Sequence, residues 1–89
     1  MNDEYALEYA RSASKDLEQL PAKVVQQAVE AIRQLAIEPR PFGVAKIKGE
    51  VSTYRIRVGR YRVIYEIADD PRRVTILHVR HRKDAYRGM

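Results

Sequence analysis

Arginine recurs at alternate positions in the stretch VSTYRIRVGRYRVIYEI, as Arg55 and Arg57 before Gly59 and as Arg62 after it. A second cluster follows in HVRHRKDAY, where His78, Arg80, His81, Arg82, Lys83 and Tyr86 fall within nine residues. Each side chain has a distinct capability. A guanidinium grips a phosphate through two parallel hydrogen bonds. An imidazole exchanges protons near neutral pH, and a phenol stacks on a base or donates its hydroxyl. Together they form a workable set for cutting RNA internally. The ribose 2′-hydroxyl needs a base, the phosphorane needs positive charge, and the leaving 5′-oxygen needs a proton. This chemistry requires no metal, and the sequence lacks the usual carboxylate cluster for Mg²⁺. Lys46 and Lys48, a few residues upstream, are further candidates for contacting a nucleic-acid backbone.

Such residues need a scaffold that brings the two clusters together. Alternation in 51–67 predicts two strands folded back near Gly59, with Tyr54, Ile56, Val58, Tyr61, Val63, Tyr65 and Ile67 on one face. The segment RVTILHVR predicts a last strand, with Thr75, Leu77 and Val79 on one side and Ile76, His78 and Arg80 on the other. Helices covering the apolar side leave an open face collecting Arg55, Arg57, Arg62, His78 and Arg80, and Arg82 extends it as the strand ends. The alternative is an ordinary solvated face. Ordinary faces mix charges so that repulsion is relieved, whereas this one offers only Glu66 as a nearby counter-charge. A phosphate chain would neutralise the excess.

The N-terminal half supplies the cover. EYALEYA predicts a short strand, and Ser12 or Ser14 offers an N-cap for a helix reaching about Leu20 with Ala13, Leu17 and Leu20 inside. Pro21 ends it and opens a second helix to about Ile37, where Val25, Ala28, Val29, Ile32, Leu35 and Ala36 follow the helical repeat. EPRPFG is a stop and turn, Val44 to Lys48 a short edge strand, and Asp69 to Pro71 another turn. The expected fold class is α+β. An N-terminal strand and an αα-hairpin precede a mainly antiparallel twisted sheet covered on one face by the helices, in a single domain spanning 1–89.

The totals narrow the possibilities. Eighty-nine residues suffice for one small core. The absence of cysteine removes disulfides and thiolate metal sites, and two histidines without a third ligand nearby make a structural zinc unexpected. No apolar run reaches the roughly 18 to 20 residues of a membrane span. The acidic start MNDEYALEYA is unlike a signal peptide, so a cytoplasmic protein is expected. Charge is unevenly divided. Residues 1–39 carry four basic and seven acidic groups, whereas 40–89 carry thirteen basic and five acidic. A basic working surface implies an anionic partner, either nucleic acid or an acidic protein segment.

Three segments together resemble the RelE/ParE toxin superfamily of bacterial toxin–antitoxin pairs: LPAKVVQQAVEAIRQLAIEP, YRIRVGRYRVIYEI and VRHRKDAYR. The chain looks more like the RelE branch, whose members cut messenger RNA in the ribosomal A site, than the ParE branch, which poisons DNA gyrase. The resemblance implies a ribosome-dependent endoribonuclease that inhibits translation and arrests growth without a cofactor. It implies phosphate contacts for Arg55 and Arg57, transition-state stabilisation for Arg62, a proton for the leaving group from Arg82, and substrate stacking by Tyr86. The best-known relative has lysines at the positions of Arg55 and Arg57. An arginine stays protonated and makes a poor base, so His81 is the first candidate to accept the 2′-hydroxyl proton and His78 the second. Lys46, Lys48, His78, Arg80 and Lys83 are expected to contact RNA. The chain ends three residues past Tyr86, so the C-terminal helix of longer relatives is expected to be missing. Implied partners are a RelB-like antitoxin, the 70S ribosome with its messenger RNA, and operator DNA through the antitoxin complex. A gyrase inhibitor and an inactive antitoxin-binding module stand as alternatives.

Overall fold

Period-two alternation commits the basic half of the chain to strands, and the stripe of small and aliphatic residues before it commits the other half to helices. The computed structural model describes residues 4–47, 49 and 52–84. Its elements are β1 (Ala6–Tyr9), α1 (Arg11–Glu18), α2 (Ala22–Ile37), β2 (Ala45–Lys46), β3 (Thr53–Val58), β4 (Tyr61–Asp69) and β5 (Arg72–His81). The strands make one sheet in the order β1-β5-β4-β3-β2. β1 runs parallel to β5, and the other neighbours are antiparallel. This is the expected α+β arrangement.

The helices bury one sheet face. Ala13 of α1 and Ala28, Ile32 and Leu35 of α2 meet Ile56, Val63, Tyr65, Ile67, Val74, Ile76 and Val79 of the sheet. A fully buried aliphatic side chain contributes about 1.5–3 kcal/mol, so this layer is the main source of stability. Tyr65, fully buried, donates its hydroxyl to the Pro39 carbonyl at 2.7 Å, which avoids an unsatisfied polar group in the core. The same burial pushes its pKa above the ordinary tyrosine value. Between β3 and β4 the loop is Gly59 and Arg60 alone, with φ +60° at the glycine. A positive φ at only the first loop position is the pattern of a type II′ turn, which suits the twist of a tight hairpin.

Two expectations need correction. Neither serine caps α1. Its N-cap is Ala10, without a side-chain hydrogen bond, and the helix ends at Glu18. Ser12 instead donates to the carbonyl of Leu77 at 2.6 Å. The second correction concerns β5. Ile64 pairs with His78 but Tyr65 pairs with Ile76, so Leu77 is an extra residue in a β-bulge. The bulge shifts the alternation, so Val74, Ile76 and Val79 all belong to the helix-covered face. Thr75, paired with Glu66, shares the open face, contrary to the uninterrupted pattern.

The placement of α1 follows from an edge problem. β1 pairs with β5 only as far as Ile76, leaving that side of β5 beyond it without a neighbouring strand among the described residues. α1 occupies that edge. The Ala10 amide donates to Ile76 O at 2.8 Å, Ser12 reaches Leu77 O, and Asp16 Oδ2 accepts the Val79 amide at 3.1 Å. Helix side chains thus take over where the strand stops, and an exposed strand edge is a liability when left uncovered.

Candidate nucleic-acid interface and active site

On the open face the registers stack basic residues across three strands. Arg57 of β3 pairs with Arg62 of β4, which pairs with Arg80 of β5. The adjacent row is Arg55, Ile64 and His78, and the next is Thr53, Glu66 and Thr75. Strands lie about 4.8 Å apart, so the three arginine stems of the first row rise side by side. Like charges placed directly opposite are destabilising by a few tenths of a kcal/mol or more per pair. Glu66 lies two rows away and opposes threonines, so it does not relieve that row. Ile64 is fully buried although it belongs to no part of the main core. It forms an apolar floor between the half-buried Arg55 and His78.

One counter-charge comes from a source the strand pattern did not reveal. Asp16 Oδ2 lies 3.1 Å from His78 Nδ1 and 3.4 Å from Arg80 Nε, in addition to holding the Val79 amide. The sequence signal is an acid beside the buried stripe of α1, next to Leu17 and three residues after Ala13. Even with Asp16, the rows from Arg57 to Glu66 keep four arginines against two carboxylates, while Arg73 and Glu8 farther along the same face pair with each other at 3.5 Å. Arg62 also donates to its neighbour's carbonyl, Tyr61 O, at 3.4 Å.

Several sequence candidates lie elsewhere. His81 pairs with Tyr61 and packs edge-on against its ring, with centroids 5.4 Å apart. Strand alternation from Val63 and Val79 places both on the helix side, so His81 and the arginine row occupy opposite faces. His81 borders a cleft of about 380 Å³ formed with Leu20, Tyr61, Asp16 and Asp84. Its Nδ1 accepts the Lys83 amide at 3.2 Å. Arg82 begins the turn after β5, exposed, with its amide donating to Arg60 O at 2.9 Å beside the hairpin loop. Lys46 pairs with Tyr54 on the edge strand, and so points to the face away from Arg55. Lys48 and Tyr86 lie outside the described residues.

Basic residues are neutralised at the opposite end of the sheet. Arg40 makes two hydrogen bonds to Asp69, at 3.3 and 3.1 Å, while Tyr5 donates to Asp69 at 2.6 Å. The Arg40 guanidinium also lies over the Tyr54 ring, 5.4 Å from its centroid. Arg40, followed by the Tyr5 hydroxyl, holds the Asp69 carboxyl below the usual range. Among the described residues, no group of three or more His, Cys, Asp or Glu side chains converges to hold a metal ion. No described helix is long and apolar enough to cross a membrane.

A helical hairpin over one face of a mixed sheet, with arginines in register on the other, defines a small α+β protein with a basic sheet face. Residues 7–86 match the family model described as the ParE toxin of the type II toxin–antitoxin system, parDE. The chain is 36% identical over 84 residues to toxin RelG of Mycobacterium tuberculosis, covering 93% of this chain and 97% of that one. It is 31% identical over 87 residues to putative toxin RelE1 of Methanocaldococcus jannaschii, covering 94% and 97%. The crystal structure of the M. tuberculosis toxin–antitoxin complex RelBE2 superposes with a TM-score of 0.79 at 31% identity, over 88% of this chain and 98% of that one. The chain belongs to the RelE/ParE family of type II toxins.

Proposed function

We propose that this toxin is a ribosome-dependent endoribonuclease that cuts messenger RNA by attack of a ribose 2′-hydroxyl on the adjacent phosphate. The observation that carries the reading is the in-register row Arg57–Arg62–Arg80, flanked by Arg55 and His78. Fixed guanidiniums on a rigid sheet stabilise charge that develops on a phosphorane, because little reorganisation is needed when the charge appears. Arg55 and Arg57 hold the phosphate, Arg62 stabilises the transition state, and Arg82 supplies the proton that the leaving 5′-oxygen takes. Arg80, Lys83 and Lys48 contact the RNA backbone outside the reacting phosphate. Tyr86 stacks on the substrate base.

The ribosome supplies an ordered message and presents it to the arginine row. The natural inhibitor is a RelB-like antitoxin whose acidic segment covers the basic face or the helical hairpin. The solved M. tuberculosis relative is itself a toxin–antitoxin complex. Operator DNA is engaged only through such a complex.

Inducible expression tests the residue assignment. Wild-type toxin arrests growth, and Arg82→Ala and Tyr86→Ala restore it while circular dichroism shows both variants folded. Full toxicity in both variants would contradict the roles given to them.

A further inference from the structure

We infer that His78, oriented by Asp16, accepts the 2′-hydroxyl proton; this rests on the proposed ribonuclease reading and names its base. A carboxylate only accepts hydrogen bonds, so the 3.1 Å contact between Asp16 Oδ2 and His78 Nδ1 places a proton on Nδ1. In the neutral ring the lone pair is then on Nε2, which points away from Asp16. The bond made by one ring nitrogen sets the role of the other. The same carboxylate is anchored by the main-chain amide of Val79 and by Arg80 Nε, so its position is fixed by the β5 edge. His81 has the opposite arrangement. Its Nδ1 accepts the Lys83 amide, so its neutral form carries the proton on Nε2 and has no lone pair available. It also packs on the helix side against Tyr61.

His78 occupies the open face, one row from Arg57–Arg62–Arg80 and separated from Arg55 only by the apolar Ile64. As the 2′-oxygen bonds to phosphorus, its proton passes to His78 Nε2. The bond from phosphorus to the 5′-oxygen breaks, and that oxygen takes the proton from Arg82, which regains one from solvent. The products are a 2′,3′-cyclic phosphate and a 5′-hydroxyl, and the imidazolium formed is stabilised by Asp16. His78 is the catalytic residue in this scheme and Asp16 the positioning residue, an arrangement of carboxylate, imidazole and hydroxyl that also activates serine nucleophiles.

The test is single-turnover cleavage of messenger RNA on programmed ribosomes by the full-length toxin, measured from about pH 5 to about pH 8, where imidazoles titrate. Among the described residues, the charged or titratable groups facing His78 are Asp16 from α1, Arg80 on its own strand, Arg62 and Glu66 from β4, and Arg55 from β3. Wild type should show a rate that rises with pH. His78→Gln should be slower by about 100-fold, within the range for loss of a general base, and should lose that rise. Asp16→Asn, which keeps an acceptor for Val79, should slow the cleavage step by at least about tenfold with ribosome binding unchanged, as expected when the imidazole tautomer is no longer enforced. Thermal melting of each variant checks that the fold persists. Wild-type cleavage with an unaltered rate and pH profile in His78→Gln overturns this inference and leaves the ribonuclease reading standing. Loss of the pH-dependent rise in His81→Gln instead assigns the base to His81. A wild-type toxin that leaves the message whole overturns the ribonuclease reading, and this assignment with it.

Discussion

Asp69 joins the start of β1 to the loop after α2, because Tyr5 and Arg40 both donate to its carboxylate. Its folded pKa lies below the ordinary carboxylate value, chiefly because of the Arg40 hydrogen bonds. A depressed folded pKa gives stability that is present above the unfolded value and lost as pH falls through the folded one. Asp69→Asn should therefore lower the melting temperature at neutral pH, with the difference closing as pH drops below about 4. The groups are exposed, so the effect should be small, as for other surface ion pairs. Thermal melts of both proteins across that range check it, and a gap that widens on acidification would contradict the assignment. The shared face of Arg55, Arg57 and Arg62 was legible because it needed only strand alternation. The hydrogen-bond partners of the histidines were not legible. They depend on which ring nitrogen meets Asp16 and which meets the Lys83 amide, and those contacts arise from packing and a turn.

The elements themselves were readable because helix and strand periods differ, and the αα-hairpin and the β3–β4 pair fall where the pattern places them. Departures came from contacts between elements. Ser12 looks like a cap in isolation, but β1 stops short of the end of β5, and the exposed edge recruits Ser12 and Asp16 from α1. The bulge at Leu77 was hidden because TILHV alternates smoothly as a sequence, while its pairing with β4 skips a residue. The helix layer nevertheless governs stability. Ile32 of α2 is fully buried against the sheet. Ile32→Ala should cost about 2–5 kcal/mol, the usual range for such a truncation, read as a shift of the urea midpoint. A loss below about 0.5 kcal/mol, typical of surface substitutions, would mean that α2 does not form the core as described.

At the scale of the whole molecule, the uneven charge of the two halves becomes a division of labour between two faces. Residues 1–39 carry seven of the twelve acidic groups and supply the helices that cover the apolar side, while the sheet presents arginines in register on the other. A sheet built only for solubility gains nothing from placing Arg57, Arg62 and Arg80 in one row; a surface that receives phosphates does. The most direct test of that account is to map messenger RNA 5′ ends in cells after brief expression, with translation active and with translation blocked. Ribosome-dependent cleavage predicts new 5′ ends at fixed positions within codons, which disappear when translation is blocked. Intact messages accompanied by DNA breaks would contradict it and point to gyrase as the target.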